Sequence, residues 1–596
     1  MILKALFERS AITRMQAIVI AVIVIIAVVV GVYYATLGPK PTPAEKRLLR
    51  TGWSWPTYID PAVGSDNSAS AAFCNLYDPL VWPTPTGTVE PWVAESWTVS
   101  EDGLVWTFKI RKGIKFHSGR ELTAEDVAFS MERLITIGEG FSYLFAPYVD
   151  KTEVVDDYTV RFTLKKPFGP FLTALCRLYI VDKEEVLAHI VKPGPYGEMG
   201  DYAKQWLLEH DAGSGPYKVK EVVLEQYVRM EKFEDYWQDF APKAPTEVVM
   251  LATAQAPSTT KTMMLNRELE VTDAWMTDEM LNDLDAAPGI HRVSVPEASE
   301  YYFMLHTKKP PLDDVHIRKA LAYAFDYDRC MTEIYSRYTK ATSCVPKGVM
   351  GYIPCQIYHR NLTKAQEELQ KSKYYPDIIE NPDKYVIKFH WNSDVPERER
   401  DALLFAECAA EIGLKVELVK TPWSKIVEES ADMEAAGHIY NTLVASHYPE
   451  AGSLLESRYH SKNVKSWEQD EWLMNATVDA MIEDALSTID PDERAQKYAQ
   501  IQREIMKICP SLFIYDYKAT CAIQDYVEWP AAEDNSKAIP LMGYSYAFRL
   551  WQIHSEESTT QSVIGSTSGV GSVLATLALT TVSASKKLKS PFLFYS

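Results

Sequence analysis

Residues able to do acid–base or metal chemistry are abundant in this chain, but they do not fall into known catalytic arrangements. The sequence has 81 Asp and Glu residues and 12 His residues. Adjacent acids such as Asp156-Asp157 are typical of a solvated surface, and the histidines are spread singly. No H-E-x-x-H helix, G-x-S-x-G elbow or phosphate-binding glycine loop occurs, since Gly213-Ser214-Gly215 is too short for an elbow. We therefore predict that the protein is not an enzyme and holds no metal or cofactor.

Aromatic side chains are the other candidates for contact with a ligand. The chain has 34 Tyr and 15 Trp residues. Such a surplus can fill a core, but it also suits a ligand cleft walled by rings. Trp275, Trp423 and Trp391, the last following a predicted strand, each either stack on a ligand or cap a core. We take all three as candidate ligand contacts.

The charge of the chain restricts the partners that it can attract. The formal net charge is −20, and no Lys/Arg-rich run reverses this charge locally. Such a chain has no long-range attraction for nucleic acid, which we exclude as a partner. With 47% apolar and 24% charged residues over 596 positions, the composition is that of an ordinary globular protein. The length is enough for about three to four domain-sized units.

An apolar segment near the amino terminus is long enough to cross a membrane. Residues Ala17–Val32 are apolar or Gly and the run extends to Leu37, which gives about 20 residues for a hydrocarbon layer of about 30 Å. The basic residues before it place residues 1–14 in the cytoplasm and the body outside. A cleaved signal peptide is the alternative, but this segment is longer and no clean A-x-A motif follows. We predict an uncleaved transmembrane anchor at 15–37 and a stiff Pro-rich linker at 38–45.

Alternating apolar residues predict strands early in the body. From Leu104 to Ile110 the apolar side chains recur at every second position, which is the period of a strand. A second strand at 160–164 follows the Asp156-Asp157 turn, with 153–155 as its hairpin partner.

Three helices have clear start signals. Residues 123–126, Thr-Ala-Glu-Asp, have the form of a capping box, and Asp313-Asp314 can cap a second helix. Asp490-Pro491 opens a third, which Cys509-Pro510 ends before a predicted strand at Ser511–Tyr517. This mixture of helices and strands favours an α/β or α+β body in several lobes.

Eight cysteines lie outside the predicted anchor, and none of them forms a C-x-x-C motif. In an exported chain some can pair, and Cys344 with Cys355 and Cys509 with Cys521 are the local candidates. Buried free thiols are the equally good alternative.

The chain changes character at its carboxyl-terminal end. Residues 553–596 are rich in Ser, Thr and Gly, then mildly apolar, then basic. This tail is either a disordered stalk or a weak second membrane segment with a cytoplasmic Lys cluster. The stalk is preferred, because the Ser and Thr content makes the tail poor for insertion.

A series of motifs in fixed order resembles one protein family closely. The series comprises residues 76–80 (LYDPL), 91–97 (PWVAESW), 100–103 (SEDG), 111–119 (RKGIKFHSG) and 122–127 (LTAEDV). Further matches at 58–62, 213–217, 313–328 and 510–513 extend the resemblance over nearly all of residues 46–552. The pattern is similar to that of the family 5 extracellular solute-binding proteins, the peptide- and nickel-type receptors of ABC importers.

The resemblance implies a mixed α/β fold of the periplasmic-binding-protein type. Two large lobes would close on a ligand about a hinge, and a smaller domain would be inserted in the first lobe. The family's chain order gives lobe I as residues 46–72, 213–299 and 515–552, the inserted domain II as 73–212, and lobe III as 300–514.

The resemblance also implies where a ligand would bind. Peptide binders of the family have an A-D-Y-type segment whose Asp pairs with the peptide amine, and the matching stretch 445–450 here reads A-S-H-Y-P-E. A neutral His447 cannot neutralise a buried ammonium, so Glu450 is the candidate substitute. His447 also admits a metal or metal chelate as ligand. Tyr448 and Tyr77, the latter from the first motif, complete the candidate ligand-binding residues.

Together these observations favour a membrane-anchored receptor whose soluble body is on the extracellular side. It would bind a peptide or similar small organic solute and deliver it to the permease subunits of an ABC importer. The Trp excess and His447 leave open an oligosaccharide receptor on the same fold. A surface hydrolase and a sensor that signals to a membrane partner are the remaining alternatives.

Overall fold

The computed structural model describes residues 47–53, 56, 58–253, 256–395 and 397–554. The predicted anchor at 15–37, the linker at 38–45 and the tail from residue 555 onward lie outside these ranges. Within them, no helix combines the length and the apolar character needed to cross a bilayer.

Strands occur along the whole of the described chain and assemble into sheets that are mostly antiparallel. They are β1 (Leu48–Trp53), β2 (Val81–Pro83), β3 (Val89–Pro91), β4 (Ala94–Val99), β5 (Val105–Ile110), β6 (Val149–Asp156), β7 (Thr159–Leu164), β8 (Tyr217–Val223), β9 (Tyr227–Lys232), β10 (Glu247–Ala252), β11 (Ile290–Leu305), β12 (Thr339–Lys340), β13 (Ile387–Asn392), β14 (Val416–Thr421), β15 (Ile439–Ala445), β16 (Ser511–Gln524), β17 (Val527–Glu528) and β18 (Gln552–Ile553).

Helices alternate with these strands, as expected of a mixed α/β body. They are α1 (Asn67–Leu76), α2 (Ala124–Ile137), α3 (Phe171–Ala174), α4 (Lys183–Ala188), α5 (Pro257–Leu265), α6 (Asp278–Asp285), α7 (Val315–Ala324), α8 (Tyr327–Glu333), α9 (Leu362–Lys371), α10 (Asp377–Glu380), α11 (Glu397–Glu411), α12 (Trp423–Ser430), α13 (Ala451–Tyr459), α14 (Ala476–Ser487), α15 (Pro491–Ile508) and α16 (Pro530–Glu533).

The residues predicted as domain II, 73–212, contain a four-stranded antiparallel sheet in the order β4-β5-β7-β6. The predicted strand at 104–110 is confirmed as β5, and β6 and β7 form the predicted hairpin. Helix α2 begins after Thr123, which forms the predicted capping box with Asp126. The helix ends at Gly138, whose φ of 74° is left-handed and favours glycine. Local signals in the sequence therefore set the framework of this domain.

The residues predicted as lobe I contain a second four-stranded sheet, in the order β1-β10-β9-β8. Strand β1 lies parallel to β10, while β10, β9 and β8 pair antiparallel. Val271 bridges Thr51 of β1 on one side and Ile523 of β16 on the other. This bridge ties the lobe I sheet to the larger sheet that continues into lobe III.

Two long paired strands connect lobe I to lobe III. Strands β11 and β16 run antiparallel from the pair Ile290 and Gln524 to the pair Met304 and Ser511, with a register shift between Pro296 and Glu300. They belong to a six-stranded sheet in the order β12-β16-β11-β15-β13-β14. The predicted lobe boundaries fall inside both strands. Strand β16 extends seven residues beyond its predicted end at Tyr517, because β11 continues to pair with it.

The helices predicted for lobe III are also confirmed. Helix α7 follows Asp314, whose side chain accepts the backbone N–H of His316 at 2.9 Å. Helix α15 follows Asp490, whose side chain accepts the N–H of Glu493 at 2.8 Å. Both acids satisfy backbone donors that a helix start leaves unpaired.

The apolar core has two large parts. One runs through domain II and lobe I and reaches helices α13, α14 and α15 of lobe III. The other fills lobe III between its sheet and helices α7 and α11, around Phe303, Phe389 and Phe405. The aromatic surplus of the sequence is used largely in these cores.

Of the two alternatives for the cysteines, the structure has free thiols, since all eight cysteines are unpaired and neither candidate disulfide forms. Cys509 precedes β16 and Cys521 lies near its far end, so an extended strand separates them by on the order of 30 Å. The sulfur of Cys355 lies 3.2 Å from Ser343 Oγ and forms no bond with Cys344. Burial raises the pKa of Cys509 to about 11, so this thiol stays protonated at neutral pH.

Candidate functional site

A cleft of about 560 Å³ opens between domain II and lobe III. Domain II residues between Tyr143 and Phe168 form one side, lobe III residues between His447 and Glu468 form the other, and Ser65 of lobe I also lines it. Pockets that enclose small organic ligands are typically about 300–1,000 Å³. The cleft is therefore large enough for such a ligand and is bordered by residues of all three predicted domains.

His447 joins the two sides of the cleft. It follows β15 by two residues, and its backbone N–H donates to Ser453 Oγ at 2.8 Å. Its Nδ1 lies 2.7 Å from Tyr143 Oη of domain II, and its Nε2 lies 3.3 Å from Glu468 Oε1. An ionised carboxylate only accepts, so Nε2 carries a proton toward Glu468, while Nδ1 shares a hydrogen bond with the Tyr143 hydroxyl.

The two acids that line the cleft both have cationic or histidine partners. Burial acts to raise the pKa of Glu468, but the charge and hydrogen bond of His447 outweigh it, and the pKa is lowered. Glu456 forms an ion pair with Lys462 and accepts the Tyr148 hydroxyl at 3.2 Å. The cleft thus presents balanced charges, which suits a zwitterionic or uncharged ligand better than a strongly charged one.

Aromatic rings form the apolar surface of the cleft. Tyr148 and Phe168 stack with centroids 3.9 Å apart and an interplanar angle of 9°. Tyr448 meets Phe168 edge to face at 6.2 Å, and its buried hydroxyl has no partner among the described residues. Trp467 lines the opposite part of the cleft. Flat apolar faces beside a few polar groups are the usual lining of a small-molecule site.

This chain matches a known protein family over more than half of its length. Residues 88–466 match the family described as bacterial extracellular solute-binding proteins, family 5. The chain belongs to the family 5 extracellular solute-binding proteins. The resemblance drawn from the sequence motifs is thereby confirmed.

Relatives of this family 5 protein are known over most of its length. The probable D,D-dipeptide-binding periplasmic protein DdpA of Escherichia coli (strain K12) is 26% identical over 485 residues, which cover 79% of this chain and 89% of that protein. The ABC transporter substrate-binding protein CtaP from Listeria monocytogenes superposes with a TM-score of 0.73 at 21% identity, over 86% of this chain and 100% of CtaP. The periplasmic binding protein DppA from Helicobacter pylori, solved with the peptide STSA, gives 0.68 at 22% identity, over 85% and 98%. The predicted mixed α/β, periplasmic-binding-protein-like fold is confirmed.

Three of the predicted ligand residues of this family 5 protein lie at or next to the cleft. His447 and Tyr448 line it directly. Trp423 does not line the cleft itself but lies behind Trp467, whose ring it contacts edge to face with centroids 5.0 Å apart. Their roles as ligand contacts remain predictions.

Glu450 does not take the place of an amine-binding Asp in this structure. Its carboxylate is fully buried and accepts Arg494 Nε at 2.8 Å and Nη2 at 2.9 Å. The hydroxyls of Thr173 and Tyr498 also donate to it. With these four donors the carboxylate has no free capacity for a ligand ammonium, so its role is structural.

Two other candidates belong to the core. Tyr77 is fully buried and its hydroxyl donates to the backbone carbonyl of Ile59 at 3.1 Å. Trp391 does not follow strand β13 but lies within it, packed in the lobe III core, with Lys420 5.8 Å from its ring. Neither residue lines the cleft, because both rings are buried among other side chains of the core. Trp275 lines a separate small pocket in lobe I.

Sequence reasoning missed the partners of His447. Tyr143 and Glu468 lie 304 and 21 residues away from it in the chain, so no local motif relates them. The sequence offered one signal for this side of the cleft: Trp467, next to Glu468, is a further Trp in an aromatic-rich chain. Among the described residues, no group of three or more His, Cys, Asp and Glu is arranged to hold a metal ion.

Proposed function

We propose that this protein is the extracellular receptor of an ABC importer and binds a peptide or a similar small organic solute in the cleft between domain II and lobe III. The observation that carries the proposal is the cleft itself: its volume, its aromatic surfaces and its balanced charges match a peptide-sized solute. The relatives support it, because DdpA is named for dipeptide binding and DppA was solved with a peptide. Membership of a solute-binding family supports binding rather than catalysis.

Trp467 provides the test of this site. Replacing Trp467 by Ala should weaken the binding of peptides by about tenfold, because a ring face that stacks on the solute is lost. The measurement is isothermal titration of the full-length protein with a panel of peptides of two to nine residues.

Trp206→Ala is the matched control for this experiment. Trp206 is in domain II, stacked on His189 at 4.1 Å and on His210 at 4.7 Å, and does not line the cleft. Its removal should leave peptide affinity unchanged. Peptide binding that survives Trp467→Ala undiminished, or a wild-type protein that binds no peptide, argues against the proposed site.

An oligosaccharide is the second candidate solute. The aromatic faces of Tyr148, Phe168 and Trp467 favour it, since sugar rings stack on such surfaces. The same titration distinguishes a peptide from an oligosaccharide. Neutral and charged sugars should bind equally, whereas blocking the charged ends of a peptide should change its affinity.

We also propose that residues 15–37 anchor the body to the outside of the cell membrane. The support is the length of the apolar run and the basic residues before it. Removal of residues 1–45 should move most of the protein from the membrane fraction to the soluble fraction after cell fractionation. A truncated protein that still sediments with membranes in carbonate buffer would contradict a single amino-terminal anchor.

A further inference from the structure

Arg177 is a buried cation for which the described residues supply no acidic partner. It lies in the single 3₁₀ turn that follows α3, and its side chain is fully buried. The groups that act most strongly on its charge are Tyr179, Cys176 and Tyr544, and no Asp or Glu of the described chain is among them. A buried guanidinium stays protonated, and burying its charge is costly unless an anion compensates it.

The neighbours of Arg177 cannot serve as that anion. Burial raises the pKa of Cys176 to about 12 and also raises the pKa of Tyr179, so both groups are neutral at pH 7. The ring of Phe141 lies 4.6 Å from the guanidinium carbon, and the ring of Tyr544 lies 5.7 Å from it. Ring faces attract a cation, but they carry no net charge. The positive charge is therefore not balanced by these groups.

The guanidinium also has hydrogen-bond donors to spare. Its Nε donates to the carbonyl of His447 at 2.9 Å. Its Nη1 donates to the carbonyl of Met542 at 3.1 Å and to Ser70 Oγ at 3.4 Å. These contacts use three of the five N–H groups of a guanidinium. The two on Nη2 are buried and have no acceptor among the described residues.

Arg318 shows how a buried arginine is satisfied elsewhere in this fold. It is 4% exposed, and all three of its nitrogens donate to backbone carbonyls. Two of these carbonyls, those of Ile508 and Cys509, are at the end of helix α15, where a helix carries partial negative charge. The charge of Asp314 also acts on it. Arg177 has neither a helix end nor an acid in this role.

A small pocket lies beside Arg177, and every residue that lines it is buried. Arg133 also lines it, but both of its Nη atoms donate to Asp60, at 2.7 and 2.6 Å, so this pair adds no net charge. The hydroxyl of Tyr179, a third lining residue, is buried and has no partner among the described residues. The pocket thus combines an uncompensated positive charge with donors that lack an acceptor.

The size of the pocket restricts the anion that it could hold. Its space is about 10 Å³, which is room for about one water-sized group. A carboxylate, phosphate or sulfate is too large for this space. Among common anions, chloride is the one closest to a water molecule in size. A water molecule could accept from the donors, but it would leave the charge of Arg177 uncompensated.

We propose that this pocket binds one chloride ion, held by the guanidinium of Arg177 and the hydroxyl of Tyr179. Arg177 also holds the carbonyls of His447 and Met542, which belong to predicted lobes III and I. The ion would therefore stabilise the place where the three predicted domains meet. This inference does not depend on which solute the cleft binds.

Thermal unfolding of the full-length protein in sodium chloride and in sodium gluconate, at equal ionic strength, tests the site. The wild type should have a Tm at least about 2 °C higher in chloride, because an ion that binds only the folded state stabilises it. Bromide, the next larger halide, should give a similar shift, whereas gluconate is too large to enter. Arg177→Met should lose the difference between the salts. Arg318→Met is the matched control and should keep it, whatever its Tm.

A milder pair of variants decides the matter if Arg177→Met does not fold. Tyr179→Phe removes one donor of the pocket and should reduce the chloride shift. Tyr327→Phe is its control, since the Tyr327 hydroxyl is also buried without a partner among the described residues but lies in predicted lobe III. An equal Tm of the wild type in both salts overturns the proposal and makes a water molecule the occupant. A chloride shift that Arg177→Met or Tyr179→Phe retains in full also overturns it, because it is then a general salt effect.

Discussion

Replacing Glu450 by Gln should lower the free energy of unfolding by about 3–5 kcal/mol, because it leaves the Arg494 guanidinium buried without its counter-ion. Arg494 is 4% exposed and contacts both oxygens of Glu450. Thr173 of domain II also donates to this carboxylate, so the substitution weakens the contact of domain II with lobe III. Urea-induced unfolding of the full-length protein measures the change.

Two further variants show whether the buried charge is responsible. Glu125→Gln removes half of an exposed pair with Lys183 at 3.0 Å and should cost less than about 1 kcal/mol. The double variant Glu450→Leu/Arg494→Met should recover part of the loss, since it leaves no unpaired charge. If Glu450→Gln costs no more than Glu125→Gln, the pair is not a structural ion pair of this protein.

Stability should fall as the pH rises from 5 to 8, opposite to the behaviour of a protein held by ionised surface acids. Burial raises the pKa of several carboxyls in the fold, and these are Glu297 (about 7), Asp401 (about 7), Glu471 (about 7) and Asp516 (about 6). Between the ordinary pKa near 4 and these values, the folded state binds more protons than the unfolded state. The linked stability is therefore full below about pH 4 and is lost progressively as the pH rises from 4 to about 7. Burial lowers the pKa of His306 to about 3 and of His438 to about 4, which acts in the opposite direction below pH 6.5, but two histidines offset only part of the effect of four carboxyls.

Glu297→Gln isolates one of these groups. Burial alone raises the pKa of Glu297. Replacing the carboxyl by a neutral amide should therefore remove the free-energy cost of burying its charge. At pH 8 the variant should be roughly 2 kcal/mol more stable than the wild type, and at pH 5 the difference should be much smaller. Urea midpoints at the two pH values provide the measurement. A variant that is less stable at both pH values would show that Glu297 is ionised and paired in the folded protein.

The parts of the fold that the sequence predicted are those with local causes. A capping box at Thr123 and an N-cap at Asp490 each place a helix start from a few neighbouring residues. The length of β16 has a different cause. Its residues beyond Tyr517 are extended because β11 supplies hydrogen bonds as far as Gln524, and a partner more than 200 residues away leaves no mark on the local pattern.

The candidate site was predicted only in part for the same reason. The position of His447 and Tyr448 followed from the family resemblance. Whether Glu450 would bind a ligand or a protein group depended on Arg494, 44 residues further along the chain. The sequence also did not determine whether Tyr77 and Trp391 lie in the core or in the cleft, since an aromatic residue near the end of a strand or helix suits either place.

The pairing of β11 with β16 also restricts how the two predicted lobes could move against each other. Two strands joined by a continuous ladder form a ribbon, and a ribbon yields to torsion along its axis far more readily than to stretching or to bending in its plane. The register shifts between Pro296 and Glu300 and between Tyr301 and Tyr302 interrupt that ladder within one short stretch, where torsion is expected to concentrate. A movement of the predicted lobes about this ribbon is therefore expected to be a twist, and a solute that touched both sides of the cleft would resist it.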